Sequence, residues 1–171
     1  MLGGMDSISI RMSGRRALMK SISGTHNAVY RVSGGRIGGR IKGLPVLLLI
    51  TRGRRSGKSR TIPLLYIREG DAMVVVGSNG GSDYVPAWWL NLRANPDAEV
   101  EIGRERTPVT ARKAYPAERA RLWPEFTAHF SGYAEYAKRA AREIPVVMLE
   151  PRRYGVTGAP TVPDRTARRR P

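Results

Sequence analysis

Residues 44–77, LPVLLLITRGRRSGKSRTIPLLYIREGDAMVVVG, contain three apolar runs separated by two polar turns. The runs are rich in Val, Ile and Leu, which favour buried strands. They occupy residues 44–51, 61–68 and 72–77. The second turn, at residues 69–71, is short enough for a hairpin, and strands joined by hairpins are antiparallel. This stretch therefore predicts an antiparallel sheet.

The elements that follow extend this sheet. Further strands are predicted at residues 98–102, 108–115 and 144–150. Pro86 suits the first turn of a short helix, and Pro116 opens a second helical region that runs towards Arg142 with a kink near Pro124. The order β-β-β-α-β-β-α-β has only two crossovers. It predicts an antiparallel sheet or small β-barrel with peripheral helices, of mainly β or α+β class, and not a doubly wound sheet.

The composition excludes several kinds of chemistry. The 171 residues correspond to about one domain. The chain has no cysteine, which excludes disulfides and cysteine nucleophiles, and its two histidines are too few for a histidine metal site, so we expect no metal. No apolar run approaches the ~20 residues of a membrane-spanning helix. The first residues lack the pattern of a secretory signal, so we expect a cytoplasmic protein.

The net charge of +16 is concentrated at the ends of the chain. Residues 1–60 hold 13 basic residues and one acid, residues 61–150 hold 11 and 12, and residues 151–171 hold six and one. We expect residues 1–40 to form a basic helix and a glycine-rich loop, residues 41–151 to form the folded domain, and residues 152–171 to form a flexible tail. The basic helix either docks on the domain or contacts an anionic membrane surface.

The turn at residues 53–59, GRRSGKS, is similar to the phosphate-binding signature G-x-x-x-x-G-K-[ST] but is one residue too short. It also leads into a strand, whereas that signature opens a helix, so NTP hydrolysis is not expected. Its glycines leave backbone N–H groups accessible, and Arg54, Arg55, Lys58 and Arg60 surround them. The pattern indicates either an anion site on a hairpin or a solvated basic turn.

Three other features have both a structural and a functional interpretation. Residues 77–83, GSNGGSD, either permit close approach of a planar ligand or form a plain turn. Trp88 is either a core residue or a cofactor contact. Phe130, Tyr133 and Tyr136 form a stripe that either packs inward or lines a flat apolar pocket. The sequence contains no G-x-S-x-G element, so no serine hydrolase is indicated.

Several motifs together resemble a known family. G-R-[RK]-[ST]-G-x-x-R-x-x-P-L is matched at residues 53–64, and P-x-W-x-x-N-L-x-A-N-P at residues 86–96. With WPEF…FSGYAEY at 123–136 and IPVVMLEP at 144–151, they resemble the deazaflavin-dependent nitroreductase family, the reductases that use coenzyme F420. The resemblance implies a split β-barrel like that of FMN-binding oxidases, in agreement with the predicted strand order.

The resemblance also implies a site for reduced coenzyme F420. The phosphate and acidic tail of this cofactor would be held by Arg54, Arg55, Lys58 and Arg60, since guanidinium groups form charge-assisted bonds with phosphates and carboxylates. The other implied cofactor contacts are Pro63, Leu64, Ser78, Asn79, Gly80, Pro86, Ala87, Trp88 and Asn91.

The implied reaction is hydride transfer from the reduced deazaflavin to a quinone such as menaquinone, or to a nitroaromatic compound. The implied substrate-binding residues are Tyr66, Phe130, Tyr133 and Tyr136. Ser78, Tyr133 and Tyr136 are the expected catalytic residues, because their hydroxyls can hydrogen-bond the acceptor oxygen as it gains charge. Three residues replace the family's common Tyr, Lys and Met, which predicts a rearranged pocket: Leu65, Asn79 and Ala87.

Two other readings stay open at this stage. In the first, the same barrel binds FMN, haem or F420 without this turnover. In the second, the terminal arginines bind nucleic acid, although no recognition motif accompanies them. We expect no specific nucleic-acid partner, and either a monomer or a homodimer.

Overall fold

The computed structural model describes Tyr30, residues 39–41 and residues 43–152. These residues form seven strands and three α-helices. The strands are β1 (Arg40–Ile41), β2 (Leu44–Arg52), β3 (Ser59–Glu69), β4 (Ala72–Val76), β5 (Asp97–Ile102), β6 (Glu105–Lys113) and β7 (Val146–Pro151). The helices are α1 (Ala87–Ala94), α2 (Pro116–His129) and α3 (Gly132–Arg139), and a 3-10 turn lies at Asn79–Gly81.

Six of these strands close into an antiparallel barrel. The ring runs β2, β3, β4, β7, β6 and β5, and β5 pairs back onto β2 through Leu49 and Val100. The tight connections β3–β4 and β5–β6 use Gly70 and Gly103, both with a positive φ that suits glycine. The predicted small barrel with peripheral helices is confirmed.

The barrel interior is filled by alternate side chains of all six strands, because successive residues of a strand point to opposite faces. We call this group the interior cluster. Trp88 and Leu92 of α1 belong to it, so α1 packs against the barrel interior. Its buried members are Leu47, Leu49, Tyr66, Met73, Val75, Trp88, Leu92, Ala98, Val100, Val109, Ala111, Val147 and Leu149.

The outer face of β3, β4 and β7 is covered by α2 and α3. The buried residues between them form the outer cluster. These residues are Leu44, Ile67, Ala72, Val74, Val76, Ala114, Leu122, Phe126, Tyr133, Ile144, Val146 and Met148. The outer face of β2 is covered instead by Tyr30, whose hydroxyl donates to the Val46 carbonyl (3.0 Å) and accepts from the Gly103 N–H (3.0 Å). Tyr30 is thereby attached to the barrel.

The second helical region differs from its prediction. The helix α2 continues through Pro124 and ends at His129, and the chain becomes extended at Phe130 (φ −146°) before α3 begins at Gly132. The break therefore lies after Pro124 and not at it. A side chain at position 132 would collide with the Phe130 ring, so glycine allows Phe130 to fold back over the start of α3.

The predicted basic helix and the predicted tail lie outside the described residues, apart from Tyr30, residues 39–40 and Arg152. Among the described helices, none is both long and apolar enough to cross a membrane. The described residues also contain no cluster of three His, Asp or Glu residues suited to a metal ion.

Candidate functional site

The β2–β3 connection is a basic hairpin loop. The Gly53 N–H donates to the Lys58 carbonyl (2.9 Å), and the Gly57 N–H donates to the Gly53 carbonyl (2.7 Å). Gly53 is buried, and a Cβ at this position would lie 2.9 Å from the Ser56 Oγ. We call Arg54, Arg55, Lys58 and Arg60 the loop cations, and all four are exposed.

The loop cations are not neutralised by the protein. None of them makes an ion pair within the described part of the chain, where every carboxylate pair uses a cation from another element. Four adjacent positive charges without acidic partners repel one another, and an anionic ligand would relieve that repulsion. This charge is therefore available to an anionic ligand.

A buried asparagine attaches this loop to α1. Asn91 is 6% exposed; its Oδ1 accepts from the Arg54 N–H (3.2 Å), and its Nδ2 donates to the Thr51 Oγ1 (3.2 Å). Thr51 lies on β2 just before the loop and is itself buried. Asn91 therefore positions the loop backbone, in addition to any contact that it makes with a ligand.

The segment that follows β4 forms a tight turn with an unusual backbone. Asn79, Gly80 and Gly81 all have positive φ values, of 48°, 63° and 76°. We call residues 77–82 the Ser78 turn. The Asn79 Nδ2 donates to the Tyr84 carbonyl (3.1 Å), so this amide is used inside the loop. Ser78 is half-buried, whereas Asn79 and Gly80 are exposed.

The Ser78 turn is fastened to the segment after α3. Arg142 donates from Nη2 to the carbonyls of Gly77 and Ser78 (both 3.1 Å) and from Nε to the Ser82 carbonyl (3.1 Å). The Asp83 Oδ1 accepts from the Ala141 N–H at 2.7 Å. These bonds join the turn to the C-terminal side of α3.

An aromatic group stands on the other side of this junction. The rings of Phe130, Tyr133 and Tyr136 are in edge-to-face contact, with centroids 5.3–6.1 Å apart. Trp123 and Phe126 of α2 extend the group. Edge-to-face contact is a favourable arrangement for aromatic rings, because the positive edge of one ring meets the negative face of the next.

Tyr133 is the most buried member of this stripe. It is 5% exposed, and its hydroxyl makes no hydrogen bond within the described residues. Burial, with a smaller contribution from Tyr136, raises the pKa of Tyr133 to about 12. The phenol is therefore neutral near pH 7 and keeps an O–H that can donate.

The strand β3 separates the predicted ring contacts onto two faces. Leu64 and Tyr66 point towards the interior cluster, whereas Leu65 packs against the outer cluster. Pro63 is on the same face as Leu65, since alternate residues share a face. Tyr66 is therefore not brought together with Tyr133, and Leu64 is not on the face of Pro63. The strand's pleat is the physical reason.

The predicted contacts on α1 also occupy different environments. Pro86 is buried immediately before the helix, Ala87 is exposed in its first turn, and Trp88 is 5% exposed within the interior cluster. The core interpretation of Trp88 accounts for its burial. Asn91 lies about one turn into α1 and contacts the basic hairpin instead.

A groove of about 380 Å³ borders the basic loop between β2 and β5, and Gly57 and Ser59 of the loop belong to its lining. Its lining includes Arg52, Asp97, Glu99 and Arg152, and the Arg152 guanidinium is 3.1 Å from the Asp97 carboxylate. None of the residues predicted for the site lines this groove. Its mixed charge makes it less suited to an acidic ligand than the loop cations are.

Four residues of this site were missed by sequence reasoning. Leu65 is predicted only as a replacement, Asp83 only as the last residue of the 77–83 segment, and Thr51 and Arg142 are not predicted as site residues. The alternation of β3 would have placed Leu65 on the face opposite Leu64 and Tyr66. The contact of Thr51 joins residues 40 apart in the sequence, and the contacts of Asp83 and Arg142 with each other's segment join residues 58 to 65 apart. No local pattern encodes such contacts.

The fold defines a split-barrel protein, which agrees with its structural neighbours. Within that class, the chain belongs to the F420H(2)-dependent quinone reductase family, whose family model matches residues 22–151. The cofactor of this family is reduced coenzyme F420, and the predicted family resemblance is confirmed.

Curated relatives carry the same name. The chain is 44% identical over 128 residues to an F420H(2)-dependent quinone reductase from Mycobacterium tuberculosis, covering 72% of this chain and 86% of the relative. It is 42% identical over 111 residues to a second protein of that organism, a putative F420H(2)-dependent quinone reductase, covering 65% of this chain and 93% of the relative.

Solved structures share the fold. A structure described as an F420-H2 dependent reductase (FDR-A) superposes with a TM-score of 0.57 at 36% identity, covering 62% of this chain and 94% of the other. A structure described as a domain-swapped dimer also has a TM-score of 0.57, at 29% identity, covering 84% and 98%.

Proposed function

We propose that this protein is an F420H2-dependent oxidoreductase that reduces a quinone, and that it accepts nitroaromatic compounds as alternative acceptors. The observation that carries this proposal is the set of unneutralised loop cations, held through Asn91 to the helix that leads back to Ser78. In this proposal the loop cations bind the anionic end of the cofactor, and the side chains with hydroxyl groups, those of Ser78, Tyr133 and Tyr136, serve its ring end.

The basic loop fits the anionic part of coenzyme F420. That cofactor carries a phosphodiester and several carboxylates, and Arg54, Arg55 and Arg60 can form charge-assisted bonds with such groups, with Lys58 assisting. The loop cations are exposed and make no ion pair with any residue that the structure describes, so ligand binding breaks none of the ion pairs seen there. The Asn91 anchor reduces the ordering cost, because the Arg54 backbone is already held.

Pro63, Ser78, Asn79, Gly80, Pro86 and Ala87 remain the proposed contacts of the ring system, with Leu64, Trp88 and Asn91 supporting them. Leu65 joins this set because it shares a face with Pro63 and packs against the outer cluster. A leucine here in place of the family's common tyrosine supports the expectation of a smaller or rearranged acceptor pocket.

The acceptor end is formed by Ser78, Tyr133 and Tyr136, with Phe130 as an apolar wall. Tyr66 is left out of this end, because it points into the interior cluster on the other face of β3. When bound, reduced coenzyme F420 supplies the hydride. The neutral Tyr133 hydroxyl, which has no hydrogen-bond partner among the described residues, donates to the acceptor oxygen as that oxygen gains charge. A proton from solvent or from one of these hydroxyls completes the hydroquinone.

The test is a titration of the purified protein with F420, followed by cofactor fluorescence, and a parallel titration with FMN. Reduced F420 is then mixed with menadione, or with a nitroaromatic compound, under anaerobic conditions. We expect F420 binding and reoxidation of the cofactor by menadione. Binding without turnover would contradict the reductase assignment, and FMN or haem binding in place of F420 would contradict the cofactor.

The loop is tested by Arg54→Ala and Arg60→Ala. Losing one charge-assisted bond costs about 1.5 kcal/mol at an exposed site, so each variant should raise the F420 Kd about tenfold. Arg121→Ala is the matched control, because Arg121 is equally exposed but pairs with Glu69 on another element. An equal loss of affinity in all three variants would argue against a specific role for the loop.

We also propose that the basic N-terminal residues hold the protein at an anionic membrane surface, where a lipid quinone is available. Residues 1–60 carry 13 basic residues and one acid. Because Tyr30 is packed on the barrel, the test keeps the full chain and replaces Arg15, Arg16 and Lys20 by Gln. Binding to anionic vesicles should fall, and unchanged binding would contradict this proposal.

The oligomeric state is proposed to be a monomer or a homodimer. One structural relative at 29% identity is described as a domain-swapped dimer, which favours the homodimer. Sedimentation of the full chain distinguishes the two.

A further inference from the structure

Arg142 is bonded in a way that a surface arginine is not. Its guanidinium donates to three carbonyl groups of the Ser78 turn, those of Gly77, Ser78 and Ser82, all at 3.1 Å. Its Nη1 donates to the carbonyl of Glu143 (3.2 Å). It makes no ion pair among the described residues. The carboxylate of the adjacent Glu143 pairs instead with Lys113 and Arg119.

The Ser78 turn depends on such an external support. Within the turn, the Gly81 N–H donates to the Ser78 carbonyl (3.0 Å) and the Ser82 N–H donates to the Asn79 carbonyl (3.2 Å). These two bonds have to hold three consecutive residues with positive φ, of which Asn79 is not a glycine. Arg142 bonds both ends of the turn at once, at residues 77–78 and at residue 82, and so fixes its width.

The same contacts set the position of Ser78 relative to the aromatic group. Gly81 lies directly against α3, because a Cβ at Gly81 would be 3.0 Å from the Tyr136 Cα. Arg142 follows α3 by three residues, and the Asp83 carboxylate bonds the Ala141 N–H beside it. A guanidinium that holds the turn against this segment therefore also holds the Ser78 hydroxyl in register with Tyr136.

We propose that Arg142 is a positioning residue for the acceptor end of the site. It acts through the Ser78 turn, because its guanidinium bonds the backbone carbonyl of Ser78, whose hydroxyl is one of the proposed catalytic groups. This inference rests on the proposed function and adds a residue to it. Loss of Arg142 should slow turnover more than it weakens cofactor binding: the Ser78 turn contributes only some of the proposed ring contacts, and the loop cations, which hold the anionic part of the cofactor, belong to a different element.

The test compares Arg142→Gln and Arg142→Lys with Arg112→Gln in the full chain. Arg112 is the matched control: it is also half-buried and multiply bonded, to Glu118 and Glu150, but it lies on β6 away from the turn. The readouts are Tm, the F420 Kd, the kcat and KM for menadione, and hydrogen exchange of the 77–83 segment in the cofactor-free protein.

We expect Arg142→Gln to lower kcat about tenfold, which corresponds to about 1.4 kcal/mol, while the F420 Kd changes less than about threefold. Exchange should increase in residues 77–83. The lysine variant should recover part of kcat, because an ammonium group can reach some of the carbonyls. Arg112→Gln should lower Tm and leave kcat and exchange at 77–83 unchanged.

Unchanged kcat and exchange in Arg142→Gln would overturn the positioning role, and so would a loss of cofactor affinity as large as the loss of kcat. A wild-type protein that does not bind F420 would refute the proposed function itself. The two failures are thus distinguishable.

Discussion

The basic loop is predicted to lose both stability and cofactor affinity when Asn91 is replaced by Leu. Leucine is similar in size but offers neither the acceptor for the Arg54 N–H nor the donor for the Thr51 hydroxyl. A typical hydrogen bond contributes about 1 kcal/mol net, so two bonds give about 2 kcal/mol. For a chain of this length, that loss lowers Tm by about 4–8 °C.

Thr51→Val separates the two bonds. It removes the bond between the Asn91 Nδ2 and the Thr51 hydroxyl but leaves Asn91 bonded to the Arg54 N–H, so the loop stays in place. We expect a loss of about 1 kcal/mol in the free energy of unfolding and an F420 Kd within about twofold of wild type. Asn91→Leu should instead raise the Kd about tenfold, because the loop must be ordered when it binds.

The assays are thermal unfolding, with and without F420, and a fluorescence titration of each variant. The double variant completes a cycle that gives the coupling energy between the two side chains. Equal Kd values for Asn91→Leu and Thr51→Val would refute the reasoning, because they would show that the Arg54 anchor does not act on the loop. An unchanged Tm for Asn91→Leu would refute it as well.

Three further predictions concern the aromatic group, α2 and the Ser78 turn. Burial raises the pKa of Tyr133 to about 12, so the stability tied to its neutral phenol is complete below the unfolded-state pKa of about 10 and is lost as the pH rises towards 12. Over that range the wild type should lose more stability than Tyr133→Phe, which has no phenol to ionise on unfolding, and an equal loss in both proteins would contradict the raised pKa. Hydrogen bonds from Arg112, and then from a backbone N–H, lower the pKa of Glu118 to about 2, so stability should fall as the pH drops from 4.5 towards 2, and Glu118→Gln should reduce that dependence in a series of melting curves. Gly81→Ala places a Cβ 3.0 Å from the Tyr136 Cα at a residue with φ 76°; a left-handed alanine costs about 1–2 kcal/mol, so Tm should fall by about 2–8 °C, and an unchanged Tm would contradict the close packing.

The barrel was predictable from local patterns. Three local signals act over a few residues: the apolar strand runs, the glycines at the hairpins, and the prolines at the starts of α1 and α2. They predict the order of the barrel strands along the chain, with bounds within about three residues of those observed. The break between α2 and α3 was not predicted, because it depends on the Phe130 ring folding against Gly132 and not on Pro124.

The candidate site was predictable in part for the same reason. The loop cations were found because they are adjacent in the sequence. The prediction groups Leu64 with Pro63, and Tyr66 with Tyr133 and Tyr136, because it does not apply the pleat of β3, although a period of two residues is available. Arg142 was outside the reach of local reasoning, since its partners are 60 to 65 residues away along the chain.

The way in which the basic loop is held follows from the positive charge that it must keep. Neutral groups hold the basic loop: glycines, backbone bonds and the Asn91 amide. An acidic anchor at position 91 would also bond the Arg54 N–H, but it would neutralise a neighbouring cation and so weaken the attraction for an anionic ligand. Acids are used instead elsewhere, as in the pairs of Glu69 with Arg121 and Glu118 with Arg112. This separation leaves the loop positive within a domain whose residues 61–150 are nearly balanced, and it predicts that Asn91→Asp, although it keeps the loop in place, binds F420 more weakly than wild type and does so most clearly at low salt.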